Sequence, residues 1–144
     1  MGSGKFDATV YSAAKSFRVS SGLDDFHYSK TTMDSPPSAR KIHEELDPKR
    51  VNGLTSPLAG KNIRESRDSV EHPESVGILV KFDDTGSMHT VPRIFQEKLP
   101  KLMALVGTKG GSEHPQICYG AIGDVNCDQF AIQVGQFESD NRMD

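Results

Sequence analysis

The sequence predicts an α/β fold in which a small sheet packs against one long helix. Residues 77–82 form an apolar run broken only by Lys81, which is typical of a central parallel strand with both faces covered. Apolar residues then recur at intervals of three and four between positions 91 and 106, which indicates one apolar stripe of a helix. Two further strand patterns, at residues 116–122 and 130–137, supply the rest of the sheet.

The connections between these segments predict the order of the strands. The helix separates the first strand, at 76–82, from the second by enough residues for a right-handed parallel crossover. Residues 125–129 are too few for another crossover, so we predict a hairpin and an antiparallel third strand at the sheet edge. Gly107 and the Gly110-Gly111 pair are predicted to end the helix.

Composition and charge exclude several classes of function. The chain has 144 residues, 35% of them hydrophobic, no Trp and a net charge of -3. It has no basic stripe for nucleic acid and no apolar run near the roughly 20 residues of a membrane span. We therefore expect a soluble protein made in the cytoplasm. Cys118 and Cys127 lack zinc or redox spacing and are predicted to be free thiols, the first in a strand and the second in a turn.

The composition changes near residue 75. Residues 1–75 are rich in Ser, Pro and balanced charges and have few large aliphatic side chains. Such a segment buries too little apolar area to offset about 1–2 kcal/mol of backbone entropy per residue. We predict a largely irregular arm, held by a partner surface or disordered, with helical pieces at 9–17 and 37–46. The α/β unit is predicted to occupy residues 76–144.

Polar oxygens follow the first predicted strand in a regular pattern. The chain reads Asp83-Asp84-Thr85-Gly86-Ser87 at the point where the strand ends and the helical pattern approaches. Carboxylate and hydroxyl oxygens are the hard ligands that Mg²⁺ prefers, and a glycine allows the tight bend that lets alternate side chains converge. The alternative is a capped turn, in which these side chains accept hydrogen bonds from the start of the next helix.

This motif and its position resemble the metal-ion-dependent adhesion site of von Willebrand factor A domains. The resemblance implies a Rossmann-like α/β domain and a bound Mg²⁺ or Mn²⁺. Thr85 and Ser87 would bind the ion directly and Asp83 would bind it through a water. It also implies binding of a partner protein, through a carboxylate that reaches the metal. Further segments are similar to a group of uncharacterised bacterial and phage proteins with this domain; they are residues 62–69, 71–73, 121–124 and 133–140.

The resemblance covers only the first part of such a domain. Complete members have further strands, and later loops supply a Thr and a second Asp to the metal. We therefore expect this chain to be an N-terminal fragment with the first three strands and first helix, or to receive the missing half from another chain. If it is encoded by a phage, we expect it in the virion.

Asp124 is the further candidate ligand. It follows the second predicted strand, and the carboxyl ends of parallel strands meet at one edge of a sheet, which would bring it near Asp83. Its alternative role is to begin the 125–129 turn. Glu138 and Asp140 are expected to be solvated, and the five histidines have no ligand spacing.

Three functions compete at this point. The first is the metal-dependent binding module, which is not an enzyme because no strong base or nucleophile accompanies Asp83. The second is a structural protein, for instance a virion component, whose metal site is vestigial. The third is a phosphotransferase that needs Asp-x-Asp-x-Thr, a spacing that Thr85 breaks. The uncovered edge of the first strand also predicts aggregation, dimerisation, or cover from residues 50–70.

Overall fold

The computed structural model describes residues 4–23, 27–53, 59–83 and 90–143. The described chain contains three α-helices and a mixed three-stranded sheet, so its fold is of the α/β kind that the sequence predicts. The helices are α1 (Ala8–Ser20), α2 (His27–Asp34) and α3 (Val91–Lys109), and the strands are β1 (Val76–Asp83), β2 (Pro115–Ile122) and β3 (Ile132–Val134).

The sheet has the order β1-β2-β3. β1 and β2 are parallel in one continuous register, with Val76 opposite Pro115 and Asp83 opposite Ile122. β3 is antiparallel to β2, with Ile132 opposite Ile122. The predicted parallel pair and the predicted antiparallel third strand are therefore both confirmed.

β3 is shorter than predicted because its register changes. Gly135 N–H still donates to the Tyr119 carbonyl, but the next pair is Ile117 with Glu138, one residue out of step. A one-residue shift of this kind is a β-bulge, which bends the strand and interrupts regular pairing. The predicted strand at 130–137 therefore contains only three regularly paired residues.

The helix α3 continues past Gly107, so the prediction that this residue ends it is wrong. One glycine costs a helix about 1 kcal/mol relative to Ala, which packing of the helix readily offsets. The end comes at Gly110, whose N–H donates to the Val106 carbonyl, and at Gly111, which has a φ of 73°. The predicted pair of glycines therefore does terminate the helix.

One face of the sheet forms the core with α3. The Phe82 ring contacts Phe95 edge to face at 5.1 Å and stacks on Tyr119 at 6.0 Å. Ile117 on β2 and Leu99 on α3 are almost fully buried. These contacts explain the apolar stripe that the sequence shows along α3.

The other face of β1 is exposed, which corrects the prediction that both faces are covered. Burial alternates along the strand, and Leu79 is 48% exposed. Lys81 follows it on the same face and is also exposed. The apolar residues of one face contact α3. Leu79, on the other face, has no comparable cover among the described residues.

The end of the arm covers the beginning of that second face. The Gln116 side chain, 1% exposed, accepts hydrogen bonds from Ser66 Oγ at 2.8 Å and from Arg67 N–H at 3.1 Å. Its amide group donates to the Arg67 carbonyl at 2.9 Å and to Ser75 Oγ at 3.1 Å. Gly77 allows this close approach, because a Cβ there would lie 2.9 Å from Cβ of Ser66. One buried glutamine thus fastens residues 66–75 to the sheet.

Two α-helices form in the described part of residues 1–75. Asp7 caps α1 by accepting from the N–H groups of Thr9 and Val10, and Tyr11 of this helix donates to the Gln96 carbonyl on α3. The first predicted helical piece, at 9–17, is therefore confirmed. The division of the chain near residue 75 stays a prediction.

The second predicted helical piece, at 37–46, is wrong. This segment contains two separate 3-10 turns, Pro37–Ala39 and Glu44–Leu46, joined by extended backbone. Arg40 and His43 both have extended ψ angles, 130° and 133°, which interrupt any continuous helix. Within the described ranges, none of the helices is long and apolar enough to cross a membrane.

Replacing Gln116 by Leu should lower the free energy of unfolding by about 2–4 kcal/mol, because it leaves the N–H and carbonyl of Arg67 without their buried partner. Chemical denaturation measures this change. The control is Gln129→Leu in an exposed turn, which should stay within about 0.5 kcal/mol of the parent. Equal, small effects of the two substitutions would contradict the fastening role of Gln116.

Because Tyr119 is buried, we expect the protein to lose stability at alkaline pH. Burial, with the nearby Tyr11 phenol, raises the pKa of Tyr119 to about 12 from 10.0. Because the folded pKa is the higher one, the stabilisation is complete below pH 10 and is lost as the pH rises through 12. Tyr119→Phe should remove this part of the alkaline destabilisation. Denaturation curves for both proteins at about pH 9 and about pH 11 measure it, and parallel pH dependences would contradict it.

Candidate functional site

The candidate site lies where β1 and β2 end. Asp83 is the last residue of β1 and stands opposite Ile122, the last residue of β2. Asp124 follows two positions later. Because the strands are parallel, both carboxylates emerge at the same edge of the sheet, the usual position of ligand sites in open α/β sheets.

A cleft of about 510 Å³ opens at this edge. Its described lining consists of Lys81, Phe82, Asp83, Ile122, Gly123 and Asp124. The structure thus brings Asp83 and Asp124 to one cleft. Thr85 and Ser87, the two predicted hydroxyl ligands, lie outside the described residues, so their convergence with Asp83 stays a prediction.

Asp124 has a structural role in the turn that follows β2. One oxygen of its carboxylate, Oδ1, accepts from the N–H of Asn126 at 2.6 Å and from that of Cys127 at 3.3 Å. Its own N–H donates to Asp128 Oδ2 at 2.5 Å. Since a carboxylate has two oxygens and about four acceptor sites, this turn role is compatible with a second role in the cleft.

Gly123 makes the turn sterically feasible. A Cβ at this position would lie 2.5 Å from Asp128 Oδ2, so any side chain here would displace that carboxylate. Two aspartates and a glycine therefore fix the path of the chain directly beside the cleft.

The side chains that line the cleft supply only part of the ligand shell of a cation that binds oxygen atoms. Asp83 and Asp124 supply two carboxylates, whereas Lys81 adds a positive charge to the same lining. In the part of the chain that the structure describes, no three His, Cys, Asp or Glu side chains form a group that could hold a metal ion. A complete Mg²⁺ shell therefore needs hydroxyl or water ligands beside these two carboxylates.

A second polar cluster, at His72, was not predicted from the sequence. This buried ring has its Nδ1 3.2 Å from Nδ1 of His114, and its Nε2 lies 2.9 Å from the Gly4 carbonyl. Ser139 Oγ lies 3.2 Å from the same Nε2. These four residues are widely separated in sequence, so no local spacing could have revealed the cluster.

The contacts of this cluster indicate an anchor and not a catalytic pair. Ser139 Oγ donates to the Gly4 carbonyl at 2.6 Å, and that carbonyl also accepts from His72. Both side chains are buried, at 4% and 2% exposure, so a substrate could not reach the serine oxygen. The cluster ties the start of the chain to the segments before β1 and after β3.

The prediction that Glu138 is solvated is wrong, because this residue is buried. Its backbone pairs with Ile117, and its carboxylate lies 3.2 Å from Arg142. Asp140 is half-buried and also binds Arg142, at 3.0 Å. Burial alone would raise the pKa of Asp140, but hydrogen bonds and the charge of Arg142 outweigh it, so that pKa is lowered. Both acidic residues therefore have structural roles away from the cleft.

Cys118 is buried in β2 and Cys127 is exposed in the turn. Both thiols are free, as predicted. Burial raises the pKa of Cys118, which keeps that thiol protonated and unreactive.

Comparison of the chain with protein-family models, with curated proteins and with solved structures gave no match.

The two roles of Asp124 can be separated by substitution. Asp124→Asn keeps an Oδ1 acceptor for Asn126 and Cys127, so the free energy of unfolding should stay close to that of the parent. Asp124→Ala removes both hydrogen bonds and should cost about 0.5–1.5 kcal/mol. Chemical denaturation of the two variants tests this, and an equally large loss in both would show that the negative charge, not the turn, is what matters for stability.

Proposed function

We propose that this chain contains a von Willebrand factor A-like unit that binds a partner protein through a metal ion. In this proposal, Mg²⁺ or Mn²⁺ is held by Asp83, Thr85, Ser87 and Asp124. The ion would keep one coordination position for a carboxylate of the partner.

One observation carries the proposal. Asp83 and Asp124, which are 41 positions apart in the sequence, line the same cleft at the carboxyl ends of two parallel strands. Hard oxygen donors gathered at such an edge suit a cation of the Mg²⁺ type better than they suit an organic ligand. The order of strand, helix, parallel strand and antiparallel strand also supports a domain of this family.

A binding role is better supported than catalysis. The charged groups of the described lining are the carboxylates of Asp83 and Asp124 and the ammonium of Lys81, and these suit the binding of an ion or of a charged group of a partner. Lys81 is exposed at the same edge, and its ammonium would attract an acidic group of a partner. The protein is therefore proposed to act by association, not by chemical conversion.

A structural protein with a vestigial site is the second candidate. It is favoured by the hydrogen bonds that already occupy Asp124 Oδ1 and by the positive charge of Lys81 beside the carboxylates. In that case Asp83→Ala would alter stability without altering partner binding, whereas the first candidate requires a loss of partner binding.

Metal binding provides the direct test of the site. The full chain should bind Mn²⁺ weakly, with a dissociation constant of roughly 10⁻³ M, because two carboxylates and two hydroxyls leave part of the coordination shell to water. As a paramagnetic ion, Mn²⁺ should broaden the amide resonances of Asp83, Gly123 and Asp124 before others, and excess Mg²⁺ should restore them. Asp83→Asn and Asp124→Asn should each weaken binding at least about tenfold.

The matched control is Asp34→Asn, which removes an exposed carboxylate at the end of α2. It should leave the titration unchanged. Broadening that is spread over all exposed acidic residues, or that persists in Asp83→Asn, would contradict a metal site in the cleft.

A further inference from the structure

Two histidine rings meet where the start of the chain is held against the rest of the molecule. His72 Nδ1 lies 3.2 Å from His114 Nδ1, and the rings are edge to face with their centroids 5.4 Å apart. His72 is buried and His114 is half-buried. A hydrogen bond between two ring nitrogens uses one proton, so only one of the two Nδ1 atoms can carry a hydrogen.

The second nitrogen of His72 determines which Nδ1 atom carries the hydrogen when both rings are neutral. A carbonyl oxygen can only accept, so Nε2 of His72 carries a hydrogen that it donates to the Gly4 carbonyl, 2.9 Å away. Nδ1 of neutral His72 is then an acceptor, and Nδ1 of His114 is the donor. A proton added to His114 at its other nitrogen leaves this arrangement intact. A further proton on His72 sets two N–H groups and two positive charges against each other.

The charges around the pair favour a first proton on His114. Glu74 and Glu113 line the same hollow of about 260 Å³ as His114, and both are exposed. Opposite charges nearby stabilise the charged form of an imidazole. The other charged side chains of the segments that meet at the pair are Lys5, Arg67, Asp68 and Glu71, which are exposed, and Glu138, Asp140 and Arg142, which bind one another.

Asp140 keeps its charge throughout the range in which histidine titrates. Its Oδ2 would lie 3.0 Å from a Cβ at Gly4, so this carboxylate is close to the held segment. Burial alone would raise the pKa of Asp140, but hydrogen bonds and the charge of Arg142 outweigh burial, so the pKa is lowered from 3.8. Histidine changes its charge between about pH 5 and 8. A change in this range is therefore not a titration of Asp140.

The held segment is short and makes few polar contacts. The Gly4 carbonyl accepts from His72 and, at 2.6 Å, from Ser139 Oγ. Asp7 and Asn141 exchange two hydrogen bonds, of 2.8 Å from the Asp7 N–H and 2.9 Å to the Asp7 carbonyl. Loss of the His72 contact therefore removes one of the few bonds that hold residues 4–7 against residues 138–141.

We propose that His72 and His114 form a pH-sensitive latch, which holds residues 4–7 against residues 138–141 at neutral pH and releases them as the pH falls to about 5. The latched pair accepts one proton, whereas the released pair accepts two. Low pH therefore favours the released state, by up to about tenfold for each pH unit below about 6.5, where a free histidine becomes charged. The stabilisation by the latch is complete above this pH and is lost below it.

Hydrogen exchange at single amides tests the release. The protection factor of the Asp7 N–H, which donates to Asn141, should fall about tenfold or more between about pH 7 and about pH 5. The Gly135 N–H, which donates to the Tyr119 carbonyl in the sheet, should keep its protection. Unchanged protection of Asp7 overturns the proposal, as does an equal fall at Gly135, because that fall would be general unfolding.

Substitution of His114 identifies the pair as the cause. In His114→Gln the side chain has no charge and can offer His72 either an N–H or a carbonyl oxygen, so Asp7 protection should change by no more than about twofold over the same range. The control is His27→Gln, an exposed histidine at the start of α2, which should behave as the parent. A fall in His114→Gln equal to that of the parent overturns the proposal.

The ring nitrogen resonances of the parent give a test that needs no substitution. While Asp7 is protected, His72 and His114 together should carry one positive charge at most, and NMR of the ring nitrogens measures this charge. Two charged rings in the protected state overturn the proposal.

Discussion

The parallel pairing of β1 with β2 is the constraint on which the rest of the structure depends. Parallel strands cannot be joined by a tight turn, so the chain crosses over one face of the sheet through α3. That crossover brings Phe95 of α3 against Phe82 on one face of the sheet and leaves Leu79 exposed on the other face. The same pairing brings the carboxyl ends of both strands to one edge, where Asp83 and Asp124 share a cleft.

The arm covers only the beginning of the second face of the sheet, and hydrogen bonds hold this polar cover in place. Gln116 uses both atoms of its amide to hold Arg67, and His72 with Ser139 holds the Gly4 carbonyl. A made hydrogen bond contributes little net free energy, whereas a buried group that loses its partner costs much more. These few buried polar residues therefore determine how firmly the arm is attached.

The candidate site uses the end of β1 and depends on the turn that Asp124, Asp128 and Gly123 shape beside it. Asp124 lines the cleft, and its Oδ1 also accepts from the N–H groups of Asn126 and Cys127. A substitution of Asp124 therefore leaves the turn intact only if it keeps an acceptor at Oδ1.

The sequence by itself determined the elements of the α/β unit. Periodicity of apolar residues along α3 and the apolar runs of β1 and β2 are local signals, and the short 125–129 connection allowed only a hairpin. Tertiary structure alone decided that β1 is covered on one face and that Glu138 is buried beside a bulge. It also brought His72 to His114, and Asp83 and Asp124 to one cleft. The spacing of apolar residues is a property of neighbouring positions in the chain, so it can be read from the sequence. Burial and polar contacts depend on which distant segments meet, so they require the tertiary structure.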